Sequence, residues 1–179
     1  LAAALINLGH AAKASEQLMA LEANLDQGTS GWFNSVIMAG RLGQRALGEA
    51  LISGIQETLG RGVPARWSST EIALRCSADW LAFTSGEAID TTETEALAQR
   101  ALRAHDFNLA TVLTLMTACY ASDHGDTAAA HRAVSDAIEL SRRHWAMDEF
   151  GLMWGVLLPA ELKRFAANLL EADRLQHVN

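Results

Sequence analysis

Residues 109–142 have the sequence LATVLTLMTACYASDHGDTAAAHRAVSDAIELSR, which contains two helical patterns that meet at Gly125. Apolar residues recur every three or four positions in both halves, a spacing typical of helices with one apolar face. They are Leu109, Val112, Leu113, Met116 and Tyr120 before the glycine, and Ala130, Ala133, Val134, Ala137 and Ile138 after it. Asp126 or Thr127 can cap the second helix. The stretch therefore predicts an antiparallel helical hairpin whose turn needs the conformational freedom of Gly125.

One hairpin leaves an apolar face uncovered, so a neighbouring hairpin has to cover it. The dipeptides Leu8-Gly9 and Leu42-Gly43 stand 34 residues apart, and each precedes an alanine-containing helical pattern. Ala101 and Ala137 are 36 residues apart. These spacings indicate internal repeats of helical hairpins.

The period and layout resemble the tetratricopeptide repeat, a helix-turn-helix unit of 34 residues with the pattern W-x2-L-G-x2-Y…A-x3-F…P. Thr114 and Thr117 depart from it at the Trp and Leu positions, Gly48 replaces an alanine, and no proline closes a unit. The resemblance implies an all-α, right-handed solenoid of antiparallel helix hairpins with about ten helices. The residues that match the pattern are Trp32 in the unit of Gly43, and Ala118, Ala121, Ala130, Val134 and Ala137 in the 109–142 unit.

Turn residues divide the chain between the helical patterns. The predicted turns lie near residues 9, 28–30, 43, 60–66, 86–90, 106, 125, 144 and 159. Gly48 and Gly54 fall inside a helical pattern, where glycine is costly, so we expect another backbone to pack closely against them. Residues 150–158 are apolar on most faces, which predicts either central packing or an interface.

The length and composition bound the class of protein. The 179 residues, 50% hydrophobic, suffice for one domain over 1–179, with a subdivision allowed near 60–66. The net charge of −7 and the absence of a long Lys/Arg cluster argue against direct contact with nucleic acid. No apolar run approaches the ~20 residues of a membrane span, and the first residues already follow a helical pattern without an initiating Met. We therefore expect a cytoplasmic fragment of a longer protein.

Residues that carry chemistry are few. Cys76 and Cys119 lie in apolar patterns without metal-ligand spacing, which favours buried reduced thiols. The dipeptide His105-Asp106 is also found in metal-dependent HD-type phosphohydrolases, although Asp106 as a helix cap is the favoured interpretation. Among the five tryptophans, only Trp67 lies beside a Gly/Pro loop and suggests a contact residue rather than core packing. No motif for nucleotide binding or hydrolysis is present, so no catalytic residue, cofactor or metal is predicted.

Three functions remain open. The resemblance implies a protein-interaction scaffold that binds a peptide or protein partner in a concave groove lined by the first helix of each unit. The second is the sensor or regulatory segment of a bacterial transcriptional regulator, because arrays rich in Ala, Leu and Arg resemble those attached to winged-helix or LuxR-type modules. A remote third is an all-helical metal-dependent hydrolase. Self-association, or packing against the rest of a longer chain, is also allowed. Carried over by position, the partner-binding residues implied by the resemblance are Phe33, Ile37, Arg41, Asp79, Phe83, Leu115, Cys119 and Asp123.

Overall fold

A computed structural model describes residues 1–22, 32–60, 68–144 and 147–176, and within these ranges the protein is all-helical, without a strand. The predicted all-α class and the predicted ten helices are confirmed for this part of the chain. The turns predicted at 9, 43, 86–90, 106, 125, 144 and 159 separate these helices, whereas 28–30 and 61–66 lie outside the described residues. The helices are α1 (Ala2–Asn7), α2 (Ala11–Glu22), α3 (Trp32–Arg41), α4 (Arg45–Gly60), α5 (Ser68–Thr84), α6 (Thr91–Arg103), α7 (Phe107–Asp123), α8 (Thr127–Arg143), α9 (Met147–Leu157) and α10 (Ala160–Gln176).

Helices α1, α3, α5 and α7 end in the same backbone arrangement. Each is followed by a glycine with positive φ: Gly9 at 78°, Gly43 at 69°, Gly86 at 77° and Gly125 at 77°. At the end of α7, the Gly125 N–H donates to Ser122 O at 3.0 Å and the Asp126 N–H donates to Ala121 O at 2.9 Å. This pair of bonds is the Schellman motif, which satisfies the last carbonyls of the helix. The conformation predicted for Gly125 is confirmed.

Two compact units divide the chain, Leu1–Asp90 and Thr91–Asn179. The sequence break near 60–66 lies inside the first unit rather than at this division. Whether the whole chain folds as a single domain stays a prediction.

In the unit Leu1–Asp90, α3 packs against both α4 and α5. Trp80 of α5 is almost fully buried, and its Nε1–H donates to the carbonyl of Ile37 at 2.9 Å. Gly40 makes this approach possible, because a Cβ there would lie 2.7 Å from Trp80 Nε1. The indole is thus held against the α3 backbone by both packing and a hydrogen bond.

The expectation for the two glycines of α4 needs correction. Gly48 does lie at a close contact, but its neighbour is the side chain of Leu81 rather than a backbone. Gly54 has no atom within 4 Å of the position its Cβ would take, because it is on the exposed face of α4. The prediction of close packing at Gly54 is therefore wrong.

In the unit Thr91–Asn179, α7 is the central helix, packed against α6, α8 and α9. The apolar stripes predicted for α7 and α8 are buried, which confirms the pattern that identified them. Burial of α7 extends further than one stripe, since Thr111, Leu115, Ala118 and Cys119 are buried as well. Residues 107–122 contain no charged side chain, so the helix tolerates neighbours on most of its faces.

The apolar segment 150–158 is partly buried where its side chains are described, with Trp154 half-buried. Met153, Val156, Leu157 and Leu158 are buried in the core of this unit. The segment therefore contributes central packing, the first of the two predicted roles, whereas the Phe150 side chain lies outside the described part.

Both cysteines are buried and free, as predicted. Cys119 Sγ donates to Leu157 O at 3.3 Å, which joins α7 to the end of α9. Trp32 and Trp80 are core residues, while Trp67 is not among the described residues. Within the described ranges, no helix has both the length and the apolar character to cross a membrane.

Candidate functional site

A groove of about 1050 Å³ runs along α7 in the unit Thr91–Asn179. Helices α6 and α8 each pack on α7 and form the two walls, and α7 forms the floor. The floor residues are Thr114, Thr117, Tyr120 and Ala121; the walls include Glu95, Ala96 and Leu102 of α6, and Ala129, Arg132, Asp136, Glu139, Leu140 and Arg143 of α8.

The two threonines of the floor bond to carbonyl groups of their own helix. Thr114 Oγ1 donates to Ala110 O at 2.8 Å, and Thr117 Oγ1 donates to Leu113 O at 3.1 Å. Because these hydroxyl groups bond within α7, the helix carries polar residues at half-buried positions without leaving their donors unpaired. Tyr120 lies beside them and is fully buried. The accessible floor is thus made of the half-buried Thr114, Thr117 and Ala121, with the buried Tyr120 beside them.

At one end of the groove, the beginning of α8 meets the end of α7. The Asp126 carboxylate caps α8 by accepting the Ala129 N–H at 2.8 Å, as predicted. His124, at the end of α7, places its Nδ1 2.8 Å from Tyr120 O. Both side chains therefore already have hydrogen-bond partners within the protein. Contacts with a ligand would come from the central part of the groove.

Some exposed charged residues of the walls form an ion pair with each other, and others do not. Arg143 pairs with Glu139 through Nη2 and Oε1 at 2.8 Å. Glu95, Arg132 and Asp136 are exposed and make no hydrogen bond or ion pair with any other described residue. Arg132 and Asp136 are one helical turn apart, a spacing that permits an ion pair. The groove thus presents three charged groups whose hydrogen-bonding capacity is open to a partner.

None of the eight partner-binding residues predicted from the resemblance lines this groove. Phe33, Ile37, Leu115 and Cys119 are buried in their units. Arg41 and Asp123 are exposed, and Asp79 and Phe83 are half-buried. Their role in binding stays a prediction.

The eight residues are divided between the two compact units. Five lie on α3 and α5, which pack together in Leu1–Asp90, and three lie on α7 in the other unit. The groove uses a different face of α7, with Thr114 and Thr117 rather than Leu115 and Cys119. Small residues in the lining, such as Ala96, Ala121 and Ala129, are a weak sequence signal for a groove, since they leave space between helices.

The dipeptide His105-Asp106 has a structural role in the turn between α6 and α7. Asp106 caps α7 by accepting the Leu109 N–H at 3.0 Å, as predicted. His105 has a φ of 58° and lies edge-on to Phe107, whose ring stacks on His144 with centroids 3.7 Å apart. Among the residues that the structure describes, no group of three or more His, Cys, Asp or Glu side chains is arranged to hold a metal ion.

No protein-family model, curated protein or solved structure matches this chain.

Proposed function

We propose that the chain is a protein-interaction scaffold that holds a peptide segment of a protein partner in the groove along α7. The observation that carries the proposal is the groove itself, about 1050 Å³ and open between two helices. Small-molecule sites are clefts or cavities of roughly 300–1,000 Å³ that bury most of the ligand surface. A groove at the upper end of that range, open between two helices, suits an elongated polypeptide segment that keeps one side exposed.

The helix arrangement supports a tetratricopeptide-like solenoid within each unit. The same glycine-ended turn closes α1, α3, α5 and α7, the helices expected to come first in successive hairpins. In the unit Thr91–Asn179, α9 packs on both α7 and α8, and α10 packs on α8. The contacts of α1 with α2 and α3, of α3 with α4 and α5, and of α7 with α8 and α9 are those expected of stacked hairpins. The right-handed sense follows from the resemblance in sequence.

The composition of the groove favours recognition of a polypeptide. Small residues along the floor and walls admit the close approach of another chain, as small residues do between packed helices. Leu102 and Leu140 supply apolar surface, and the exposed charged groups on the walls supply orientation. A helix or extended segment that lies in a groove uses this combination of apolar contact and peripheral polar contacts.

The test is to fill the groove without disturbing the fold. Ala96 is exposed and Ala129 is half-buried, so Ala96→Trp/Ala129→Trp adds bulk to the two walls. Ala128 and Ala172 are exposed positions outside the lining, so Ala128→Trp/Ala172→Trp is the matched control. We expect both variants to melt like the wild type, but only the groove variant to lose the partner recovered from cells that express the protein.

Retention of every partner by the folded groove variant would contradict the proposal. A parallel variant, Arg41→Glu/Asp123→Lys, changes two exposed residues from the set implied by the resemblance. Substitutions at exposed positions usually change the free energy of unfolding by no more than about 0.5 kcal/mol. If this variant loses the partner and the groove variant retains it, the binding surface contains Arg41 or Asp123 instead.

A further inference from the structure

We infer that the groove along α7 selects a basic segment of a protein partner, one with Lys or Arg side chains that pair with Glu95 and Asp136. This inference rests on the proposed function, because it identifies the occupant of that groove. It comes from the charges of the lining and from their partners in the structure.

The charged lining residues are predominantly acidic. The lining contains four carboxylates and two guanidinium groups. The carboxylates are those of Glu95, Asp126, Asp136 and Glu139, and the guanidinium groups are those of Arg132 and Arg143. Asp126 is engaged as the cap of α8, and Glu139 is paired with Arg143. Glu95 on one wall and Asp136 on the other therefore remain for an incoming cation, with only Arg132 opposing them. A positively charged segment is the complement of this arrangement.

Two other occupants fit the charges less well. The chain has a net charge of −7, so a second copy would approach against overall electrostatic repulsion. An acidic segment would bring further carboxylates beside Glu95 and Asp136, and like charges placed together are destabilising. The same net charge attracts a basic partner at long range and increases its association rate at low salt.

The spacing of the lining residues sets the pattern of the segment. Glu95 and Leu102 are separated by seven positions on α6, which corresponds to about 10 Å along the helix at 1.5 Å per residue. The segment should therefore carry an apolar side chain about 10 Å from a basic one, which is seven residues in a helix or three in a strand. Leu140 on the opposite wall adds to the apolar end.

The test uses two synthetic peptides in place of the natural partner. The first is an alanine-rich helical peptide of about 16 residues, with two lysines and with a leucine seven residues after the first lysine. The second has glutamate in place of both lysines. Binding of each labelled peptide is measured by fluorescence anisotropy at about 50 and 200 mM salt, where screening differs strongly.

The variants are designed to change the preference of the groove from the lysine peptide to the glutamate peptide. Glu95→Lys/Asp136→Lys reverses the two groove carboxylates, and Glu16→Lys/Glu171→Lys makes the same change of net charge at exposed positions outside the lining. We expect wild type to bind the lysine peptide, more weakly at higher salt. The groove variant should bind it at least tenfold more weakly and should gain binding of the glutamate peptide. The control should stay within about threefold of wild type.

Several results would overturn the inference. One is preference of wild type for the glutamate peptide; another is an equal loss in the control, which would assign the effect to overall charge. Self-association that Ala96→Trp/Ala129→Trp abolishes would identify a second copy as the occupant. If neither peptide binds but the groove-filling variant still loses its cellular partner, the proposed function stands and the basic segment is wrong. If the lysine peptide binds equally to wild type and to the groove-filling variant, both proposals fail.

Discussion

At the scale of single residues, the turns after the helices place a few residues in the left-handed backbone region. Five described residues have positive φ: four glycines and His105. At His105, the N–H donates to Leu102 O and the following Asp106 N–H donates to Ala101 O, both at 3.0 Å. This is the same Schellman pair of bonds that ends α7 at Gly125. A residue with a Cβ costs roughly 1–2 kcal/mol in this conformation, so His105 occupies a position that glycine fits better.

Substitutions at Gly125 and at His105 should change the free energy of unfolding in opposite directions. We expect Gly125→Val to lower the free energy of unfolding by more than ~1 kcal/mol, because only backbone strain is added where no atom lies within 4 Å of the new Cβ. His105→Gly removes roughly 1–2 kcal/mol of strain but adds about 0.4–1 kcal/mol of conformational entropy to the unfolded chain. It should therefore raise the free energy of unfolding by about 0.5–1 kcal/mol, reduced by the lost contact with Phe107. Urea denaturation measures both. Gly125→Asn is the control and should lose less, and an unchanged midpoint for Gly125→Val would contradict the argument.

At the scale of the helix, α8 depends on its cap. Asp126→Ala removes the acceptor of the Ala129 N–H and should lower the free energy of unfolding by about 0.5–2 kcal/mol. Asp123 is also exposed and lies three residues earlier, at the end of α7. Asp123→Ala makes the same change of charge without loss of a cap, so it should stay within about 0.5 kcal/mol of wild type. Equal effects in thermal melts would show that charge, rather than capping, matters here.

A second contrast is between Gly40, where α3 packs against α5, and Gly54, on the exposed face of α4. Gly40→Ala places a Cβ against the Trp80 indole, which is held by its bond to Ile37 O, and should lower the free energy of unfolding by about 1–3 kcal/mol. Gly54→Ala places its Cβ where no atom lies within 4 Å and should raise the free energy of unfolding by about 0.5–1 kcal/mol, through better helix propensity. Chemical denaturation followed by tryptophan fluorescence reports on both. Stabilisation by Gly40→Ala would mean that α5 lies further from α3 than described.

The turns and buried stripes could be predicted because each depends on local chemistry. Gly125 and Asp126 mark the end of one helix and the beginning of the next through their own conformational and capping preferences. Helical spacing, likewise, groups Leu109, Val112 and Leu113 on one face without reference to any other helix. The prediction for Gly54 was wrong because a glycine within a helical pattern does not show whether another backbone packs against that face of the helix.

The groove could not be predicted from the same patterns. Its floor lies at Thr114 and Thr117, on a face of α7 that sequence spacing does not distinguish from the faces covered by other helices. The positions of α6 and α8 against α7 depend on tertiary packing and not on local sequence. The resemblance directed attention to Leu115 and Cys119, which the structure buries. Helical spacing therefore identifies α7 as a helix, but not the face of it that is left open.

At the scale of the whole molecule, each compact unit has a core of its own. We expect a fragment of residues 91–179 to fold alone, because α7 and its neighbours α6, α8 and α9 all lie within it. Domains of such length commonly fold without disulfides or metals. Circular dichroism should show a helical fragment with a cooperative thermal transition. A fragment that melts without cooperativity would show that its core needs residues 1–90.

The enclosure of α7 has a consequence for the energetics of binding. Its amide groups are covered by α6, α8 and α9, so in native-state deuterium exchange they should be among the slowest to open. The groove floor is therefore preorganised, and a ligand that settles on it has little backbone entropy to remove from the protein. Most of the ordering on binding would then fall on the ligand and on the long side chains of the walls, such as Glu95 and Arg132.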